Sequence, residues 1–107
     1  MDASAARIEA FRAVVRDEPD DSVARFGLAQ ALLAAARHAE AADEFAAAIR
    51  LAPRYTAAYR GLGRALEAAG RPDEAIPIYE AGIAIACETG DLQTGQEMEV
   101  FLKRLRG

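Results

Sequence analysis

The chain has 107 residues, 52% of them hydrophobic, with 13 basic and 17 acidic side chains giving a formal net charge of −4. That balance lacks the basic face of a nucleic-acid binder. The single cysteine excludes an intrachain disulfide or a cysteine metal cluster, and no apolar run approaches the roughly 20 residues of a membrane span. The opening stretch MDASAARIEAFRAVVRDEP is charged and amphipathic and lacks the apolar centre of a secretory signal, so a cytoplasmic location is expected. A chain of this length buries roughly two-thirds of its unfolded surface, enough for one domain. Segments rich in Ala, Leu, Arg and Glu without β-branched runs predict an all-α fold.

Capping and periodicity predict six helices. The first spans about Ser4 to Asp17, with Ile8, Phe11, Val14 and Val15 on one face, and Pro19 ends it by disfavouring helix at Glu18. Asp21 or Ser22 caps the second, which runs to about Ala36 before a turn at Arg37-His38. The third carries Ala41, Phe45, Ala48, Ile49 and Leu51 up to Pro53, and Thr56 is expected to cap the fourth, which ends at Gly70. Pro72 fits the first turn of the fifth, where its missing N–H is no loss. Pro77, one turn further on, should kink that helix without breaking it. No proline follows at residue 87, so the fifth helix is expected to continue to about Glu88 and stop at Gly90. Asp91 caps a sixth whose apolar stripe is Leu92, Gly95, Met98, Leu102 and Leu105.

A step of 34 residues relates much of this. It carries Leu28-Ala29 to Leu62-Gly63, Leu32 to Leu66, Ala41 to Ala75, Phe45 to Tyr79, Ala48 to Gly82 and Pro19 to Pro53. A fixed period of this size signals stacked copies of one supersecondary unit. Applied strictly, the step would put Gln96 and Glu97 in the core, so the sixth helix must slip in register by about two residues.

These residues resemble the tetratricopeptide repeat pattern. The second copy presents Tyr59, Leu62, Gly63, Ala75 and Tyr79, and the first Leu28, Ala29, Ala41, Phe45, Ala48 and Pro53. It departs at Arg25, where an aromatic is usual, and at Cys87, where proline is usual. The resemblance implies a right-handed superhelix of antiparallel helix pairs: a half-unit over 4–18, repeats over 22–55 and 56–89, and a capping helix over 91–106. Small residues at Ala29, Gly63, Ala41 and Ala75 would let paired helices approach, with Phe45 and Tyr79 filling the gap beside them. Gly82 costs roughly 1 kcal/mol in helix propensity, and close packing against the preceding helix is the expected compensation.

Catalytic chemistry is not expected. His38 is alone in an inter-helix turn, and Cys87 reads as a small packing residue in the missing proline's slot. Asp20-Asp21, Asp43-Glu44 and Asp73-Glu74 complement helix dipoles at helix starts. Gly61-Leu62-Gly63 lacks the further glycine and lysine of a phosphate loop. No enzyme activity, cofactor or metal is anticipated.

The resemblance also implies a concave groove lined by the first helix of each pair. Projected onto this sequence, it holds Val23, Phe26, Gln30 and Leu33 from the second helix and Arg60, Arg64 and Glu67 from the fourth. The sixth would add Gln93, Gln96, Val100, Lys103 and Arg104. Phe26 and Gln30 stand where the subclass that grips chaperone tails has lysine and asparagine, which disfavours that ligand. The reading that follows is a non-catalytic, bacterial-type scaffold or adaptor binding a protein or peptide partner with apolar and acidic groups. Phe26 and Leu33 would supply apolar pockets, and Arg60 and Arg64 charge-assisted contacts. For Arg60, Arg64 and Glu67 the alternative is a solvated ladder of charges along one helix. Two other functions remain open: a regulatory subunit of an enzyme complex, and self-assembly as a homodimer through the C-terminal end. In the second, Phe101 would point outward beside Leu105 and Val100 as an exposed apolar patch; the alternative is that Phe101 folds back over its own helix.

Overall fold

The computed structural model describes residues 2–107 as six helices: α1 (Ala3–Asp17), α2 (Ser22–Ala34), α3 (His38–Leu51), α4 (Thr56–Ala68), α5 (Pro72–Thr89) and α6 (Leu92–Arg106). No strand occurs among the described residues. Acidic caps start three of the helices by satisfying an otherwise unpaired first-turn donor. Asp2 accepts from the Ala5 N–H at 2.8 Å, Asp21 from Ala24 at 3.0 Å and Asp91 from Thr94 at 3.4 Å. Proline follows the ends of α1 and α3, and α5, without one, runs to Thr89 and closes on Gly90 at φ 78°. Pro77 lies exposed inside α5, which continues through it.

Three expectations about helix ends need correction. Thr56 does not cap α4: it is the buried first residue of the helix, and its hydroxyl donates to Asp91 Oδ2 at 2.6 Å. One carboxylate therefore caps α6 and ties it to the start of α4. Next, α2 stops at Ala34, not Ala36, because the Arg37 and Ala36 N–H groups turn back to the Leu32 and Leu33 carbonyls at 2.9 and 3.0 Å. Ala36 closes this turn at φ 62°, and 34 residues later Gly70 closes the matching turn at φ 77°. Finally, Leu92 is 68% exposed and Cys87 is exposed, so neither joins the core. Because α5 runs on to Thr89, Cys87 lies within a helix on its solvent side, and Leu92 lies in the first turn of α6, clear of the Met98–Leu102 face.

Each helix packs on its chain neighbour. In addition α2 packs on α4 and α4 on α6, whereas the backbones of α1, α3 and α5 do not approach one another among the described residues, and the Arg12–Glu40 ion pair at 3.1 Å links α1 to α3 at the surface. The result is two layers in a body of 40 × 27 × 19 Å, with α2, α4 and α6 inside. The core follows the 34-residue step. Ala29, Ala41, Ala48 and Ala75 are sealed, and Phe45 and Tyr79 are among the largest fully buried side chains. Phe11 lies against Gly27 and Phe45 against Gly61, in contacts a β-carbon would obstruct. Tyr79 breaks the series and lies on Gly63, while Gly95 faces Ala86. The slipped register of α6 accounts for this change. Gly82 is wedged between Tyr59 of α4 and Met98 of α6, the close packing anticipated for it. Truncating Phe45 to alanine would cost about 3–5 kcal/mol, a large part of the total stability of a small domain.

Arg25 shows how a departure from the repeat is accommodated. Tyr59 donates from its hydroxyl to the Pro53 carbonyl at 2.7 Å, and Arg25, 34 residues earlier, donates from Nε to the Pro19 carbonyl at 3.1 Å. Its guanidinium also meets Glu44 at 2.9 Å. Different chemistry thus ties the same helix to the same loop.

Candidate functional site: the inner groove

The inner layer leaves a cleft of about 440 Å³ between α2, α4 and α6. Phe26, Gln30, Leu33 and Ala34 line it from α2, and Ala57, Arg60, Gly61 and Arg64 from α4. Phe45 closes the floor and Glu97 the α6 side. Phe26 is half-buried, edge-on to Phe45 with ring centroids 5.6 Å apart. Tyr55, just before α4, stacks on the other side of Phe26 at 4.7 Å, and burial pushes its phenol above the usual range. The apolar half of the cleft is therefore a rigid aromatic stack, anchored through Phe45 to the core.

Beyond it the groove is charged, and most of the charge is matched internally. Arg60 Nη1 donates to both carboxylate oxygens of Glu97 at 3.1 Å. Glu67 accepts the hydroxyl of Tyr79 on one oxygen and meets Arg104 Nη2 at 3.5 Å with the other. Burial first, and then the Glu67 carboxylate, push the Tyr79 phenol far above its ordinary value. Arg64 has no carboxylate partner among the described residues. Its guanidinium carbon lies 5.4 Å from the centre of the Phe101 ring, and Arg104 stands at the same distance.

Of the residues projected into the groove, Phe26, Gln30, Leu33, Arg60 and Arg64 meet in the cleft. Glu67 and Arg104 form its continuation. Val23 and Val100, 66% and 63% exposed, do not line it. Lys103 belongs elsewhere: it lines a separate recess with Glu99, Leu102 and Arg106. Gln96 lies with Ile83 and Cys87 in a shallow recess of α5 and α6. The α6 face toward α4 runs through Glu97, Phe101 and Arg104, so Lys103 and Gln96 are turned away from it. Of the two positions open to Phe101, the outward one is not adopted. Its ring packs on Tyr79 at 5.7 Å, and both it and Leu105 lie against the core. Glu97 is the groove residue that sequence reasoning missed. Its spacing of four from Phe101 and seven from Arg104 would have placed it on their face.

Helix hairpins stacked in two layers around a concave inner face define an α-solenoid. The model of the tetratricopeptide repeat family matches residues 4–56 and again 36–88. The chain belongs to the tetratricopeptide repeat family, whose domains generally act as non-catalytic mediators of protein–protein interaction. Among solved structures it is similar to protein BPP2914 from Bordetella parapertussis, with 30% identity, a TM-score of 0.82, and coverage of 99% of this chain and 90% of that one. It is also similar to a tetratricopeptide repeat domain protein from Salinibacter ruber, at 30% identity and TM-score 0.73, covering 81% of this chain and 88% of that one. A MamA mutant matches at 26% identity and TM-score 0.72, covering 86% of this chain but 47% of its own. No curated protein matches significantly. No described helix is long and apolar enough to cross a membrane.

Proposed function

We propose that the protein is an adaptor whose inner groove seats a segment of a partner protein, with the Phe26–Leu33 side as the apolar anchor. The carrying observation is the cleft of about 440 Å³ between α2, α4 and α6, with a half-buried phenylalanine held in place by Tyr55 and Phe45. That size falls in the range of roughly 300–1,000 Å³ typical of ligand pockets. An aromatic whose neighbours fix its rotamer loses little entropy on binding, as an interface anchor should. Phe101, on which a homodimer through the C-terminal end would rest, is engaged with Tyr79 and the core, so the groove is the better supported surface.

The test is selection of phage-displayed random dodecapeptides on the immobilised protein, followed by amide chemical-shift mapping of the best synthetic peptide. Shifts should cluster on α2, α4 and α6, and Phe26→Ala should weaken binding at least ~10-fold, equivalent to about 1.4 kcal/mol. Shifts confined to α1, α3 and α5 would overturn the proposal.

A further inference from the structure

The groove's charge pattern says more about what it accepts. Three arginines face it, and two have carboxylates. Arg60 is engaged by both oxygens of Glu97 at 3.1 Å, and Arg104 is held by Glu67 at 3.5 Å. Arg64 has none among the described residues, and it lines the same cleft as Phe26 and Leu33. Nor is Arg64 a loose surface charge. Its guanidinium lies 5.4 Å from the centre of the Phe101 ring, and Phe101 is itself fixed on buried Tyr79. A guanidinium with one face on an aromatic ring keeps its N–H edge free, in the planar fork that matches a carboxylate bidentately. Arg104 shares that ring at the same distance, so two like charges flank one aromatic with a single carboxylate contact between them.

We infer that the groove selects a partner segment carrying one carboxylate next to a large apolar side chain, the acid bound at Arg64 and the apolar group on Phe26 and Leu33. This rests on the groove being the binding surface, as proposed above. Glu97 and Glu67 set the count. A second partner acid displaced along the groove meets one of these carboxylates, and like-charge juxtaposition at an interface is strongly unfavourable. The groove thus rejects acidic runs while accepting a lone acid, a specificity built from repulsion as well as attraction. Phe101 acts through Arg64 as a positioning residue.

The same dodecapeptide selection, run in parallel on wild type, Arg64→Gln and Glu97→Gln, tests this. Wild type should enrich sequences with one Asp or Glu beside Phe, Leu, Tyr or Met. Arg64→Gln should keep the apolar preference and lose the acid. For the best synthetic peptide, with blocked ends, changing its acid to the amide should cost at least ~10-fold on wild type and nothing on Arg64→Gln. Glu97→Gln frees Arg60 and should admit a second acid. Phe101→Leu should lower the acid-to-amide affinity ratio without weakening the amide peptide, whereas loss of both would mark a purely structural role. Selected peptides with no acid, or an acid preference that survives Arg64→Gln, overturn the inference and leave the groove reading standing. Peptides that map away from α2, α4 and α6 overturn that reading as well.

Discussion

Gly82→Ala tests the packing most sharply, because two physical effects oppose each other there. Helix propensity favours the change by about 1 kcal/mol, and the residue 34 positions earlier, Ala48, is fully buried without difficulty. The neighbours say otherwise. A β-carbon at residue 82 would lie 2.7 Å from Cβ of Tyr59 and 2.6 Å from Sδ of Met98. Ordinary contact begins near 3.4 Å, so α4 and α5 would have to part by the difference, 0.7 Å. The Tyr59 β-carbon moves only with its backbone, so that contact cannot be relieved by a rotamer change, and the Met98 side chain that the new methyl would also displace is fully buried. Overpacking of this kind costs about 1–3 kcal/mol. Set against the propensity gain, the net loss is about 1 kcal/mol, which lowers Tm by roughly 4–8 °C in a domain of this size. Thermal denaturation followed by far-UV circular dichroism measures it. Ala81→Gly, at the exposed neighbour, calibrates propensity alone in the same helix. A rise in Tm for Gly82→Ala would refute the wedge between Tyr59 and Met98.

The remaining predictions concern strain and pH. Ala36→Gly should raise stability by about 0.5–1 kcal/mol, since a left-handed alanine costs about 1–2 kcal/mol and part of the gain is lost to unfolded-chain entropy; unchanged denaturant midpoints would contradict the turn. Hydrogen bonds from Thr56, and then from Thr94, hold the Asp91 carboxyl below its usual range. A depressed folded value gives stability that is present above the unfolded value, near ~3.9, and is lost as pH falls through the folded one. Asp91→Asn should therefore keep the cap but flatten the acid limb of a Tm–pH profile, with Glu40 and Glu74, also lowered by their arginines, retaining part of it. Tyr79 has the opposite sign. Its raised value gives stability that is present below the unfolded ~10 and falls as pH climbs beyond it, so Tyr79→Phe should shorten the alkaline limb and leave the part due to Tyr55.

Much of this was legible because the 34-residue step acts on packing, which depends on residue size and spacing. Ala41, Ala75, Phe45 and Tyr79 announce the helix pairing by size alone. Phe26, Leu33 and Arg64 reach the groove because they share the inner face of their helices. What stayed hidden depended on relations between helices. Ala36 conceals a left-handed turn because alanine signals helix, whereas its counterpart Gly70 marks the turn. The Arg60–Glu97 pair spans 37 residues, one slipped register beyond the repeat. Only the length of α5 sets that slip. The position of Phe101 stayed open between outward and folded back because its partners, Tyr79 and Arg64, come from two other helices.

The asymmetry of the two layers has a mechanical consequence. The backbones of α2 and α4, and of α4 and α6, approach closely, while those of α1, α3 and α5 stand further apart behind them, with α1 and α3 joined at the surface by Arg12 and Glu40. Spreading the inner helices around a bulky guest would draw the outer ones together, into the space their backbones leave. The array has room to yield by straightening on the side away from the groove.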